Sequence, residues 1–174
     1  MPGLIDLNSM SVEEAAGNFL KCCGSVNWAR QMAESRPFQT QQQLFDTADR
    51  VWRRLSEADW LEAFHGHPQI GEKTAEKTAS AAHSAEARRW AADEQSATRH
   101  ADPQTMDSLA RANRDYHARF GYIFIVCATG KSTEQMLALL RQRLHNDPVK
   151  EIAVAAEEQR RITRLRLEKL LQGN

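Results

Sequence analysis

Two histidines separated by one residue stand in the stretch HGHP at residues 65–68. Neighbours on one face of a helix are three or four residues apart, so His65 and His67 could share a metal ion only on irregular backbone. Four other side chains could complete such a site: Glu62, Glu72, His83 and His100. The sequence has no HExxH motif and no Cys/His pair at zinc spacing, which disfavours a metal centre. The simplest alternative is a helix end that carries incidental histidines.

Proton transfer is the chemistry that the pair His67-Pro68 favours. Proline fixes its own φ and restricts the residue before it, so the imidazole would be held rigidly at a helix end. An unperturbed histidine has a pKa of about 6.5, which suits acid–base catalysis near neutrality. Glu94, in the stretch DEQ at 93–95, could accept an N–H from such a histidine and orient it. The alternative is a solvated helix face, which is the common place for a glutamate.

The stretch ATGKS at 128–132 imitates a phosphate-binding loop, because it follows an apolar run and precedes a helix signal. The GxxxxGK[ST] pattern requires glycine at position 125, where this chain has Ile125. Without a glycine-rich arc there is no cradle of backbone N–H groups for a phosphate. We therefore expect Ser132 to cap the helix that follows.

The stretch RRITRLRLEK at 160–169 contains five Arg or Lys residues, which a nucleic-acid-binding module would use against phosphates. Apolar residues interleave with these charges: Ile162, Leu165, Leu167 and Leu170. Three glutamates offset them: Glu157, Glu158 and Glu168. The pattern favours a packed amphipathic helix, although one arginine that points inward could still hold a substrate carboxylate.

The composition is compatible with binding of a small molecule and gives no sign of a protein that binds nucleic acid or a charged membrane. The 174 residues include 23 Lys+Arg and 23 Asp+Glu, so no net charge indicates nucleic acid or a membrane as the partner. The three cysteines form no CxxC pair, which favours reduced thiols in a reducing compartment. The first residues lack the pattern of a signal peptide, and no apolar run approaches the roughly 20 residues that span a bilayer. We therefore expect a cytoplasmic protein.

Sequence patterns typical of helix starts and ends occur along most of the chain, so helices must position these candidate residues. Capping patterns occur at Ser11 with Glu14, at Thr40, at Ser56 with Asp59, at Asp102-Pro103, and at Ser132 with Gln135. The stretch EKTAEKTASAAHS after Gly71 has few apolar anchors and predicts a loop. The run YIFIVCAT predicts a short extended segment near 122–129. The sequence thus predicts an all-α fold, a single domain over 1–174 of about eight helices.

Six landmarks, in order along nearly the whole chain, resemble one enzyme family. They are RPF at 36–38, HPQIG at 67–71, EQ at 94–95, the set Asn113, Tyr116 and Arg119 before FG, FIVCATGKS at 124–132, and LRL at 165–167. The chain is similar to the decarboxylases of 2-oxo-4-hydroxy-4-carboxy-5-ureidoimidazoline (OHCU), which act in urate degradation. The resemblance implies an all-α carboxy-lyase without a cofactor or metal, working as a homodimer that converts OHCU to (S)-allantoin.

The same resemblance implies roles for particular residues. His67 falls on the family's catalytic histidine, and Glu94 on its acidic partner. The substrate-binding positions are Pro68, Gln95, Arg166 and the backbone of Phe124, Ile125, Val126, Cys127 and Ala128. Ala91 stands where many members have serine, so a hydroxyl contact to the ligand would be missing or replaced. His65 is outside the family's pattern.

The chemistry expected of OHCU agrees with these residue types. We expect the neighbouring ring carbonyl to accept the electrons released with CO₂ as an enolate, so neither pyridoxal nor thiamine is required. Free N–H groups of Phe124 to Ala128 would bind a ring oxygen as charge develops. Two other readings stay open from the residues: a helical module that binds a partner or nucleic acid through the basic C-terminal helix, and a metal-dependent hydrolase using His65 and His67.

Overall fold

The computed structural model describes residues 3–71, 85–94 and 101–172. In these ranges the chain forms nine α-helices and no strand: α1 Leu4–Ser9, α2 Val12–Cys23, α3 Val26–Glu34, α4 Gln41–Arg54, α5 Glu57–His65, α6 Ala85–Glu94, α7 Pro103–Phe120, α8 Thr133–Arg143 and α9 Pro148–Gln172. None of the helices in the described part of the chain is long and apolar enough to cross a membrane. The all-α prediction is confirmed.

Helix boundaries follow the capping patterns. The Ser11 hydroxyl accepts from the N–H of Glu14 while the Glu14 carboxylate accepts from the N–H of Ser11, which is a complete capping box. Ser132 and Gln135 repeat this arrangement at the start of α8. At the other ends, α2 and α7 stop at Gly24 and Gly121, whose φ values of 86° and 80° are left-handed.

Two details of the chain differ from the sequence expectation. The expectation of about eight helices omitted α1, because its six residues offer little periodicity and its start at Gly3 is stabilised by one bond to the Asp6 carboxylate. Residues 122–128 are neither helical nor paired as a strand with any described residue. The loop predicted after Gly71 begins at Glu72, outside the described residues.

The described residues form two compact units, and the expectation of a single domain over 1–174 stays a prediction. The first unit lies within Met1–Ala63 and Arg160–Asn174. Its core contains Phe19, whose ring meets Trp28 and Phe38 edge to face at centroid distances of 6.0 and 6.3 Å. The indole N–H of Trp28 donates to the Ala48 carbonyl of α4 at 3.2 Å, so this buried ring keeps its hydrogen bond.

The second unit is Phe64–Gln159. Its core is an aromatic cluster centred on Tyr116, which lies within 5.9 Å of the rings of Phe120, Tyr122 and Phe124. Other fully buried apolar side chains of this unit are Leu109, Ile125, Met136 and Leu140. This unit contains most of the residues that the sequence singled out.

Candidate active site

His67 lies just beyond the C-terminal end of α5. The helix ends at His65, and the N–H of His67 donates to the Phe64 carbonyl at 3.1 Å, which turns the chain away from the helix axis. His67 and Pro68 are half-buried, whereas His65 is exposed. Within the described residues, no three His, Cys, Asp or Glu side chains are grouped as a metal site would require. Of the further ligands considered, Glu72, His83 and His100 lie outside the described residues.

The loop that follows His67 is hydrogen-bonded to α7 and packs closely against it. The side-chain amide of Asn113, which is 2% exposed, donates to the Ile70 carbonyl at 3.0 Å. Gly71 then turns the chain with a φ of 80°. A Cβ at this position would lie 3.0 Å from Met106 Cε and 3.1 Å from Leu109 Cδ2, both on α7. The position therefore requires glycine for its backbone angle and for its close approach to the helix.

We expect Gly71→Ala to lower the free energy of unfolding by about 1–3 kcal/mol, because an alanine is strained at positive φ and its methyl group crowds α7. Gly17→Ala is the matched control: Gly17 is exposed inside α2, and nothing lies within 4 Å of its added Cβ. There alanine should stabilise the protein by about 0.4–1 kcal/mol. Urea denaturation of the two variants measures both values, and a Gly71→Ala protein as stable as wild type would contradict the assignment.

Glu94 is the last residue of α6 and is half-buried. Ala91, where the resemblance implies a serine in many members, precedes it by three residues and is 4% exposed. Burial raises the pKa of the Cys127 thiol, Lys131 opposes the shift, and the charges of Glu158 and Glu94 add to it. Glu94 therefore lies close enough to the segment 124–128 for its charge to act on Cys127. Gln95 lies outside the described residues.

The segment Phe124 to Ala128 is buried throughout, with every residue no more than 9% exposed. Its backbone is held by side chains from other elements. The N–H of Cys127 donates to Glu158 Oε2 at 2.7 Å, and Lys131 Nζ donates to the Cys127 carbonyl at 2.7 Å. The expectation of free N–H groups along this segment is therefore wrong at Cys127, since its N–H already binds the carboxylate of a residue that the sequence suggested only as a balancing charge.

Arg166 belongs to the first unit, on α9, and is 3% exposed. It acts on Cys23 of α2: burial raises the pKa of the Cys23 thiol to about 12, and the positive charge of Arg166 opposes that shift. Arg166 is thus a buried arginine of the basic stretch, a possibility that the sequence left open, and its binding of a substrate carboxylate stays a prediction. Its joint action with His67 and Glu94 stays a prediction.

The rest of the basic stretch is packed as an amphipathic helix. Ile162, Leu167 and Leu170 are buried on α9. Arg160 forms an ion pair with Asp49 of α4 at 2.7 Å, and the guanidinium of Arg164 lies 4.2 Å from the ring centroid of Phe45. Arg160 and Arg164 thus both bind side chains within the first unit, which favours a packed amphipathic helix over a surface that binds nucleic acid.

Sequence reasoning missed three charged residues: Arg143 and Glu158, which bind the backbone of the segment 124–128, and Glu151, which binds Arg143. Arg143 is 6% exposed and Glu151 is 0% exposed, and the two form an ion pair of 2.6 Å. A signal was present, because Arg143 continues the buried face of Met136, Leu137 and Leu140 at helical spacing. A charged residue on an apolar stripe predicts a buried partner.

Comparisons with known proteins agree with the landmarks. The chain is 36% identical over 161 residues to the uric acid degradation bifunctional protein TTL of Arabidopsis thaliana, a match that covers 92% of this chain and 48% of that protein. It is 27% identical over 141 residues to the 2-oxo-4-hydroxy-4-carboxy-5-ureidoimidazoline decarboxylase of Haloferax volcanii, covering 80% of this chain and 79% of that protein. The chain thus spans about half the length of the Arabidopsis relative.

A solved structure also resembles this fold. The crystal structure of an OHCU decarboxylase in the presence of (S)-allantoin superimposes with a TM-score of 0.76 at 35% identity, covering 90% of this chain and 98% of that chain. The family model described as OHCU decarboxylase matches residues 8–168, which include every site residue that the landmarks indicated. The chain belongs to the OHCU decarboxylase family.

Proposed function

We propose that this protein is a carboxy-lyase that converts OHCU to (S)-allantoin without a cofactor, as the resemblance implied. The observation that carries the proposal is the family match over residues 8–168. The similarity to a decarboxylase structure in the presence of (S)-allantoin supports the same substrate and product. The half-buried His67 and Glu94 supply groups suited to proton transfer.

The electron flow follows from the substrate's structure, in which the C5–N double bond accepts the electrons, so the expectation that a ring carbonyl accepts them as an enolate is wrong. OHCU carries both its hydroxyl and its carboxyl group on C4, and its remaining ring double bond joins C5 to nitrogen. When the bond from C4 to the carboxylate breaks, its electron pair forms a C4–C5 double bond and displaces the C5–N π electrons onto nitrogen. Loss of the hydroxyl proton then creates the C4 carbonyl of allantoin, while C5 and the nitrogen each gain a proton. One proton is consumed overall for each carboxylate lost as CO₂.

His67 is the residue we assign to the proton steps. In its neutral form it accepts the hydroxyl proton, and as imidazolium it returns a proton to C5 from one face, which sets the (S) configuration. Glu94 orients the imidazole and stabilises its charged form. Arg166 binds the substrate carboxylate, and Pro68, Gln95 and the segment 124–128 bind the ring. Because the Cys127 N–H is bound to Glu158, the ring oxygen must use other donors of the segment or displace that carboxylate.

We further propose a homodimer located in the cytoplasm. The dimer rests on the family resemblance. The location is supported by the cysteines, since Cys22, Cys23 and Cys127 are buried thiols and none forms a disulfide. Buried thiols without disulfides are typical of a reducing compartment.

The reaction is tested by following optical rotation while urate is oxidised in the presence of the protein. We expect fast formation of one enantiomer of allantoin, in proportion to protein concentration. Slow formation of racemic allantoin at the rate without protein would overturn the proposal. Activity lost after strong chelation would favour the metal-dependent hydrolase instead, and a salt-sensitive complex with RNA without turnover would favour the binding module.

A further inference from the structure

A buried chain of polar groups in the second unit ends on the backbone of the segment 124–128. Arg143, at the end of α8, donates through Nη1 to the Ile125 carbonyl at 2.8 Å. Its Cζ also lies 4.6 Å from the ring centroid of Phe124. One guanidinium thus contacts two consecutive residues of the segment that we propose binds the substrate ring.

The other side of the guanidinium binds Glu151 of α9. Arg143 Nε donates to Glu151 Oε1 at 2.7 Å, and Nη2 lies 2.6 Å from the same oxygen. Tyr116 of α7 donates its hydroxyl to Oε1 at 2.5 Å, and Asn146 donates to Oε2 at 2.6 Å. Both oxygens of this fully buried carboxylate are therefore hydrogen-bonded, and the group contacts three different parts of the unit.

Stability alone is a weak reason for such a pair. A buried ion pair loses its hydration, and apolar side chains of similar volume often stabilise a core equally well. What apolar side chains cannot do is donate to the Ile125 carbonyl. Residues 122–128 have no helix or strand bonding to fix their backbone, so buried carbonyls there need side-chain donors. The planar fork of arginine supplies donors in fixed directions, toward Glu151 and toward Ile125 at once.

We infer that Arg143, held by Glu151 and Tyr116, is a positioning residue for the decarboxylation: it fixes the backbone of the segment 124–128 at the place where the substrate ring binds. The inference rests on the proposed function and deepens it. Two residues further on, Glu158 accepts a hydrogen bond from the backbone N–H of Cys127. The segment is thus fixed at two residues that are two positions apart, Ile125 and Cys127, by side chains from α8 and α9.

The test compares two paired variants. Arg143→Met with Glu151→Gln removes both charges, so neither is left buried alone, and the glutamine oxygen still accepts from Tyr116. The control is Arg141→Met with Glu134→Gln, which removes one positive and one negative charge by the same two substitutions at exposed positions of α8. We expect kcat for OHCU to fall at least tenfold in the buried pair with KM changed less than threefold, and neither to change in the control. Arg143→Lys keeps the charge but lacks the fork, so it should restore only part of kcat.

A second measurement does not depend on activity. Hydrogen–deuterium exchange should be at least tenfold faster at the Ile125 to Cys127 amides in the buried pair, while amides in the middle of α7 keep their wild-type rates. Wild-type kcat and wild-type exchange in the buried pair would overturn the inference. Faster exchange throughout the unit would also overturn it, because the ion pair would then act only on stability. If wild-type protein does not turn over OHCU yet exchange rises locally, the proposed function fails and the positioning of the segment stands.

Discussion

His67→Ala is expected to slow the formation of (S)-allantoin by about 10²–10⁴-fold, the usual cost of removing a group that transfers a proton. Spontaneous decay of OHCU would then dominate, so the allantoin that still forms should be racemic. His67 is half-buried and lies just past the end of α5, where the hydrogen bond from its backbone N–H to the Phe64 carbonyl and the following proline restrict the backbone. Truncation to alanine leaves these backbone restraints in place, so the decrease in rate reports the contribution of the imidazole alone.

His65→Ala is the matched control for this experiment. His65 is two residues earlier, is exposed, and ends the helix. We expect its variant to keep wild-type kcat and wild-type enantiomeric excess, measured by optical rotation during urate oxidation. Near-wild-type stereoselectivity in His67→Ala would show that another group delivers the proton. A loss of equal size in both variants would indicate damage to the end of α5 instead of loss of an acid–base group.

Arg166→Gln is expected to lower kcat/KM for OHCU by about 10–100-fold, mainly through a higher KM. A hydrogen bond to a charged group contributes about 1.5–3 kcal/mol, and the guanidinium can give two such bonds to one carboxylate. Arg166→Lys should recover part of the loss, because it keeps the charge without the planar fork. Steady-state kinetics with enzymatically generated OHCU provide the measurement.

The control for the arginine is Arg161→Gln, on the exposed face of the same helix. It should leave KM unchanged. Because Arg166 is buried and its charge acts on Cys23, the melting temperatures of all variants must be measured alongside the kinetics. A normal KM in both Arg166 variants would contradict its assignment to the substrate carboxylate.

Local signals predicted much of the helical framework. Thr40 and Ser56 cap their helices as expected, since their hydroxyl groups accept from the N–H groups of Gln43 and Asp59. These features depend on residues within a few positions of each other, so periodicity and capping chemistry are sufficient to predict them. The short α1 was missed because six residues give too little periodicity.

The contacts of the candidate site depend on residues far apart in the chain. Cys127 and Glu158 are separated by 31 positions, and Asn113 and Ile70 by 43. No local pattern encodes such a pairing, because it arises only when helices pack. The landmarks therefore indicated the candidate site residues. Only the tertiary fold reveals that the Cys127 N–H donates a hydrogen bond to a carboxylate, that of Glu158.

Arg36 has a consequence for where the chain can be shortened. Its guanidinium donates to the carbonyls of Leu7, Met10 and Ser11, while Asn8 exchanges hydrogen bonds with both backbone groups of Phe38. The end of α1 and the two residues that follow it therefore supply the acceptors for a cation located beyond α3, and deleting residues 3–11 would leave those donors without acceptors. A shortened chain whose first residue is Val12 should be less soluble than the full chain. A tag joined ahead of Gly3 leaves every one of these hydrogen bonds intact.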